Sequence, residues 1–389
     1  MNTTEFSKII ITILLSLTVF FLAISISIKS IFILLSMLAI SIYNYPELKR
    51  ILMLKWFWTS AILFMLIVAG CFIDHGSWST KFNYIHKYSK VLYLPILAIG
   101  FRDQINRQCA GHAFLLAMLI TCCLSLAKFW GIFEAIGAPG EAGYIFHNRI
   151  ITGYYMAFAA FLAAIYAGKH ETTWKRVGYG LLIILFSYQV LFVNIARTGY
   201  LMFGILLCLF IAHEMHKKLN YGWVLLLGFF LALIVFGPAR QNINYLVRDL
   251  VQYKIGEQDT HLGVRLQLHT YAAQLFLRHP VVGIGTGGFE YNFKIAPPIP
   301  NWEKAFIEPH SEYWLMLADH GIIGLGLLIL FLSTVLNTIL VTKEMRLICL
   351  GVMITFAVGC YSDSLLLCSP GFFLILFSSM GLGEALERT

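Results

Sequence analysis

The chain has 389 residues, 59% of them hydrophobic and 12% charged, with a formal net charge of +8, and its mean hydropathy is +0.77. So apolar a chain has more hydrophobic surface than one soluble core can bury, which excludes a soluble domain and points to an integral membrane protein. Its apolar runs are long and continuous, which excludes an outer-membrane barrel, whose segments alternate over about ten residues.

The fold expected is therefore all-α and polytopic, built from helices of roughly 20 residues that each cross about 30 Å of hydrocarbon. In chain order the apolar runs lie near 8–27, 29–44, 52–73, 89–101, 110–133, 150–168, 177–195, 198–213, 221–237, 313–341, 346–361 and 364–386. That makes 12 transmembrane helices, or 10–12 if the short second, fourth and eleventh runs are half-spans. The first run is too long for the apolar core of a signal peptide and is expected to stay as an uncleaved span. The organisation expected is one membrane domain: spans in 1–237, a long loop over 238–312, and the last spans in 313–389.

With the N-terminus inside, about fourteen Lys and Arg residues fall on the inner side and about six in the short loops opposite. This excess places both termini inside and the long loop outside. It also accounts for the positive net charge, so no nucleic-acid partner is inferred. The eight cysteines lie mostly within apolar runs and form no C-x-x-C, as expected of small buried residues.

Three polar features fall on the outer side. "IFHNRI" carries His147, Asn148 and Arg149. "NIARTGYL" places Arg197 in a very short turn between two apolar runs, where an unpartnered charge costs about 2.5–3.5 kcal/mol. The long loop carries Arg265 and His310. In that loop Ile243, Leu246, Val247, Leu250 and Val251 follow a helical period and predict an amphipathic helix on the membrane or on the bundle.

A second helix is predicted from Val264 to Arg278, with Arg265 and His269 on one face. It breaks at "HPVVGIGTGG", and "APPIPNW" then runs extended toward Glu308. "GIGTGG" matches the G-x-G-x-x-G pattern, but without a surrounding βαβ unit it predicts a tight turn and not a dinucleotide site. His269, His279, His310 and His320 match no standard zinc spacing, so no metal is expected.

"GVRLQLHTYAAQLFLRHPVVGIGTGGF" and "EPHSEYWLMLADHGIIGLG" together resemble the bacterial O-antigen ligase and O-antigen polymerase family, most closely the ligases. The positions that carry the likeness are Arg265, His279, Pro280, Gly283, Gly285, His310, Tyr313, Gly321 and Gly324. Ser311 stands where the family usually has Asn, and His269 where Trp is common.

The resemblance implies a metal-independent glycosyltransferase of the bacterial inner membrane with its site facing the periplasm. Its donor would be a glycan on undecaprenyl diphosphate, its acceptor the lipid A core, with membrane lipids around it and no cofactor. Arg197 and Arg265 would clamp the diphosphate, and His310 would act as general base in a mostly neutral form favoured by nearby arginines. Arg149, His147, Asn148, His269, Glu308, Glu312 and Tyr313 would contact substrate. The alternatives are a polymerase joining lipid-linked repeats and, further off, a non-enzymatic transporter of lipid-linked glycan.

Overall fold

A computed structural model describes residues 3–73, 76–132, 140–169, 171–217, 228, 239–256, 259–298 and 306–388. Among these residues every regular element is helical. The first helices are α1 (Thr3–Leu22), α2 (Ile26–Tyr43), α3 (Tyr45–Ile51), α4 (Lys55–Gly70), α5 (Trp78–Tyr88) and α6 (Tyr93–Gly100). Then follow α7 (Gln104–Phe129), α8 (Arg149–Lys169), α9 (Thr173–Tyr188) and α10 (Arg197–Lys217). The remainder are α11 (Ala239–Lys254), α12 (His261–Arg278), α13 (Gly288–Ile295), α14 (Glu312–Leu340), α15 (Arg346–Gly359) and α16 (Ser369–Glu387).

The protein is an all-α polytopic membrane protein. Hydrocarbon offers no partners for backbone N–H and C=O groups, and a helix satisfies them within its own segment. Eight of the described helices are long and apolar enough to cross a bilayer, or nine if α3 and α4, bent by 81° at their junction, make one broken span. The count expected from apolar runs is thus reduced where runs do not become long helices. The run at 89–101 forms a 3₁₀ turn followed by the eight residues of α6, and the run at 346–361 gives the 14 residues of α15. At about 1.5 Å per residue neither reaches across the hydrocarbon when straight. The run at 221–237, apart from residue 228, and most of "APPIPNW" lie outside the described residues.

The chain divides into two compact units. The first comprises Met1–Ala39 and Asp103–Tyr245, and in it α1 packs on α7, and α8 packs on α9 and α10. There α8 and α10 approach closely at Gly153 and Gly199: a Cβ on Gly153 would stand 3.2 Å from the Gly199 Cα. Small residues at a crossing permit this approach within a membrane.

The second unit comprises Ile40–Arg102 and Leu246–Thr389, with α14 packed on α4, α12 and α16, and α16 packed on α6 and α15. α11 and α12 form where the two loop helices are expected. α5 and α13 do not appear in the hydrophobic pattern. α5 is short and amphipathic, started by Ser77, whose side chain accepts from the Thr80 N–H.

α14 is broken. Gly321 has φ 62° and ψ −159°, so the helix stops at His320 and resumes at Ile322. The amides freed by the break are taken up by the "HPVVGIGTGG" loop: Ile322 N–H donates to Pro280 O at 2.9 Å and Ile323 N–H to Val281 O at 3.4 Å. In return, Ile284 N–H donates to Ala318 O at 3.0 Å and Gly285 N–H to Asp319 O at 2.8 Å. The two glycine motifs are therefore the two faces of one backbone junction. A Cβ on Gly283 would lie 2.4 Å from the Asp319 carbonyl carbon, and one on Gly321 2.3 Å from Val281 O. Glycine is needed at both positions for its positive φ as well as for space. The Asp319 side chain closes the same junction by accepting from the Gly287 and Phe289 N–H groups at 3.0 and 2.9 Å, at the start of α13. This is the role of the G-x-G-x-x-G match.

Candidate active site

In the second unit the chain reaches α14 through Ile307–Ser311, and α5 fixes that approach. Tyr84 donates its hydroxyl to Ile307 O at 2.7 Å. Four residues on, Tyr88 donates to Glu312 Oε1 at 2.5 Å. Ser311 is the N-cap of α14: its hydroxyl accepts from the Trp314 N–H and donates to Cys360 O at 3.1 Å. Serine thus fills the place of the family's usual Asn with an ordinary helix cap.

Between Ile307 and the cap lies His310, at φ 54° the sole non-glycine residue with positive φ among the described residues. The left-handed region costs an L-residue about 1–2 kcal/mol. Glu308 offsets that cost at the backbone, where Oε2 accepts from the His310 N–H at 2.8 Å, while Oε1 lies at an ion-pair distance of 3.1 Å from the ring Nδ1. Ser364 Oγ donates to the same Oε2.

A second carboxylate faces the ring from the turn after α15. Asp363 Oδ1 is 3.5 Å from His310 Nδ1 and is itself held by the Ser364 N–H at 3.0 Å. Burial pushes the His310 imidazole toward its neutral form, but the Asp363 and Glu308 carboxylates outweigh this and hold its pKa up at about 9. This corrects the expectation of a mostly neutral histidine: the groups that dominate its surroundings are acids, not arginines. With Nδ1 turned to both carboxylates, Nε2 is the ring atom left to meet a substrate.

Among the described residues, Glu308, His310 and Asp363 are the one group whose ligand-type atoms come within 4.8 Å of one another. With Nδ1 at 3.1 and 3.5 Å from the two carboxylates, the group has the geometry of an ion pair. The four-histidine zinc set does not assemble among these residues.

α12 adds a second layer. His269 Nε2 lies 3.4 Å from the His310 carbonyl, and its ring sits beside Trp314 and Tyr361 at 6.5 and 6.0 Å. Burial and then Arg265, four residues earlier on α12, push the His269 pKa below its ordinary value, against the pull of its bond to the His310 carbonyl. The structure thus sets His269 against the His310 carbonyl beside Glu308, with Arg265 near enough to His269 to act on its charge.

It withdraws two residues of the same stretch from direct substrate contact. Glu312 is fully buried, and its oxygens are taken by Tyr88 and, at 2.9 Å, by the Leu366 N–H. Tyr313 donates its hydroxyl to Ala357 O at 2.6 Å and so ties α14 to α15. Asp363 and Ser364 escape the sequence reading, although Asp363 is a charge in a short turn between apolar runs, the same signal that singles out Arg197. Along α4 in this unit runs an apolar groove of about 680 Å³, lined by Phe64, Met65, Val68, Ala69, Phe72 and Leu92. The glycine junction grips the end of that helix, Thr286 N–H donating to Gly70 O at 3.1 Å and its hydroxyl to Ile67 O at 2.6 Å.

The first unit holds the other predicted residues. His147 is buried, with Nε2 3.1 Å from Leu22 O, which corrects its expected place on a substrate-facing surface. Asn148 caps α8 by accepting from the Ile151 N–H at 2.9 Å. Arg149 is ion-paired to Glu141 at 3.4 Å. Arg197 begins α10 with an exposed side chain. The organiser here is a residue the sequence reading passes over: buried Asn194 donates to Arg149 O and accepts from the Ala196 N–H, both at 2.9 Å.

Residues 180–329 match the family model described as O-antigen ligase. That segment, under half of the chain, is what is similar to O-antigen ligases. The matched segment runs from α9 into α14 and takes in Arg197, Arg265, the glycine junction and His310, whereas Asp363 and Ser364 lie beyond it. Members of the O-antigen ligase family join lipid-linked glycans. No curated protein matches the chain.

Proposed function

We propose that the protein transfers an O-antigen glycan from undecaprenyl diphosphate to the lipid A core at the periplasmic face of the bacterial inner membrane. The observation that carries this reading is the His310 group, in which a strained histidine within the segment similar to O-antigen ligases is set against Glu308 of that segment and Asp363 beyond it. The acceptor hydroxyl gives its proton to His310 Nε2 as its oxygen attacks the anomeric carbon. The C–O bond to the diphosphate breaks, and undecaprenyl diphosphate leaves with the bonding electron pair.

Glu308 and Asp363 orient the ring through Nδ1 and stabilise the imidazolium as it forms, the part a carboxylate plays beside other catalytic histidines. Arg265 binds the diphosphate oxygens with its planar fork. The groove along α4 offers an apolar bed for part of the polyprenyl chain.

A base with a pKa near 9 is scarce but strong at neutral pH, so kcat/KM for transfer is expected to rise with pH and level off near 9. A rate that falls across that range would make His310 a cationic donor and not the base. Lipopolysaccharide gels of a deletion strain separate the two family activities. Bare core with accumulated lipid-linked polymer supports the ligase, and core bearing a single repeat supports the polymerase.

A further inference from the structure

The turn that delivers Asp363 to His310 also presents Tyr361. Its side chain is 65% exposed, and its hydroxyl has no hydrogen-bond partner among the described residues. The Tyr361 and His269 rings meet steeply, at 75° with centroids 6.0 Å apart, and His269 is backed in turn by Trp314. The tyrosine is thus braced by an aromatic neighbour while most of its surface stays open, two residues from a carboxylate that faces His310.

Such a surface fits a pyranose. The C–H groups on one face of a sugar ring pack on an aromatic face, while its hydroxyls project from the rim toward neighbouring polar groups. His269 suits a neutral sugar as a brace, because burial and Arg265 disfavour its charged form. We propose that Tyr361, braced by His269, is the stacking surface for the pyranose that carries the acceptor hydroxyl. The assignment rests on the transferase reading above and adds the residue that selects a sugar ring as acceptor. An exposed tyrosine in a membrane protein has one competing role, as an anchor at the bilayer surface.

Purified protein is examined in two ways, by saturation-transfer NMR with delipidated core oligosaccharide and by transfer kinetics with lipid-linked donor and lipid A core. Tyr361→Ala is expected to weaken oligosaccharide binding and raise the acceptor KM about tenfold, the scale of one aromatic contact. The same variant should leave kcat and the donor KM within about twofold, and Tyr361→Phe and Tyr361→Trp should bind as wild type does.

The assignment is overturned if wild type does not bind the oligosaccharide. Unchanged binding in Tyr361→Ala, or a loss confined to kcat or to membrane level, overturns it equally. Tyr361-dependent binding without transfer to core would sink the ligase reading and leave the stacking surface standing.

Discussion

His310 is costly to hold as it is, with left-handed backbone angles, partial burial and a charge, and each cost is met by a neighbour that can be removed separately. Unfolded, its imidazole titrates near 6.5, and folded near 9. The raised value means that the ion pair stabilises the fold fully below about pH 6.5 and that this contribution is lost as pH climbs through about 9. Asp363→Asn removes one carboxylate and should lower both that upper edge and the inflection of the pH–rate curve. Thermal unfolding in detergent between pH 6 and 10, alongside initial rates, checks both. An unmoved inflection would mean that Asp363 does not act on the ring. Arg265→Lys keeps the charge but loses the fork, and should therefore raise the donor KM nearly as much as Arg265→Ala. Donor titrations of the two variants decide this. His310, Glu308, His269 and Arg265 were legible because they stand in one motif or one helical turn apart. Asp363 was not, because the short turn it stands in reads as a mere boundary between apolar runs and its partner lies some fifty residues away.

Hydropathy finds long apolar helices well and short polar ones poorly, and α5 shows why that matters for the site. Its eleven residues are too few and too polar to register as a span, yet Tyr84 and Tyr88, one turn apart, reach the backbone before His310 and the carboxylate after it. Tyr88→Phe strands Glu312 Oε1 in a buried place, and an unsatisfied buried group of this kind costs about 1–3 kcal/mol. The variant should therefore melt earlier while the His310 pair keeps its own contacts. A melting temperature equal to wild type would show that Glu312 finds another donor. The glycine loop was legible as a break but not as a junction, since no local pattern announces which distant backbone a turn will meet. Gly283→Ala and Gly321→Ala each add a methyl within 2.4 Å of backbone at a positive φ. Both are expected to lower the level of folded protein in the membrane severely, as quantitative blotting against Gly326→Ala, where a Cβ meets nothing, would show.

At the scale of the whole molecule, composition sufficed for the class and charge bias for a proposed orientation, whereas the number of spans depended on runs that stop short. If the long loop is periplasmic, Arg149→Cys, Arg197→Cys, Arg265→Cys and His310→Cys in a cysteine-free background should all react with an impermeant maleimide in spheroplasts. Protection of one of them, with the protein at normal level, would take that residue out of the proposed periplasmic set.

The broken span carries a consequence for how the chain is made. The carbonyls of Pro280 and Val281 belong to a stretch synthesised some forty residues before the amides of Ile322 and Ile323 that need them. At about 5–20 residues per second, that is a head start of a few seconds. The receiving half of the junction is therefore outside the ribosome before the interrupted helix emerges, and the open amides have a partner waiting when they enter the membrane. Reversing that order by circular permutation would keep every residue and every contact, yet would ask the helix to insert with its break unfilled.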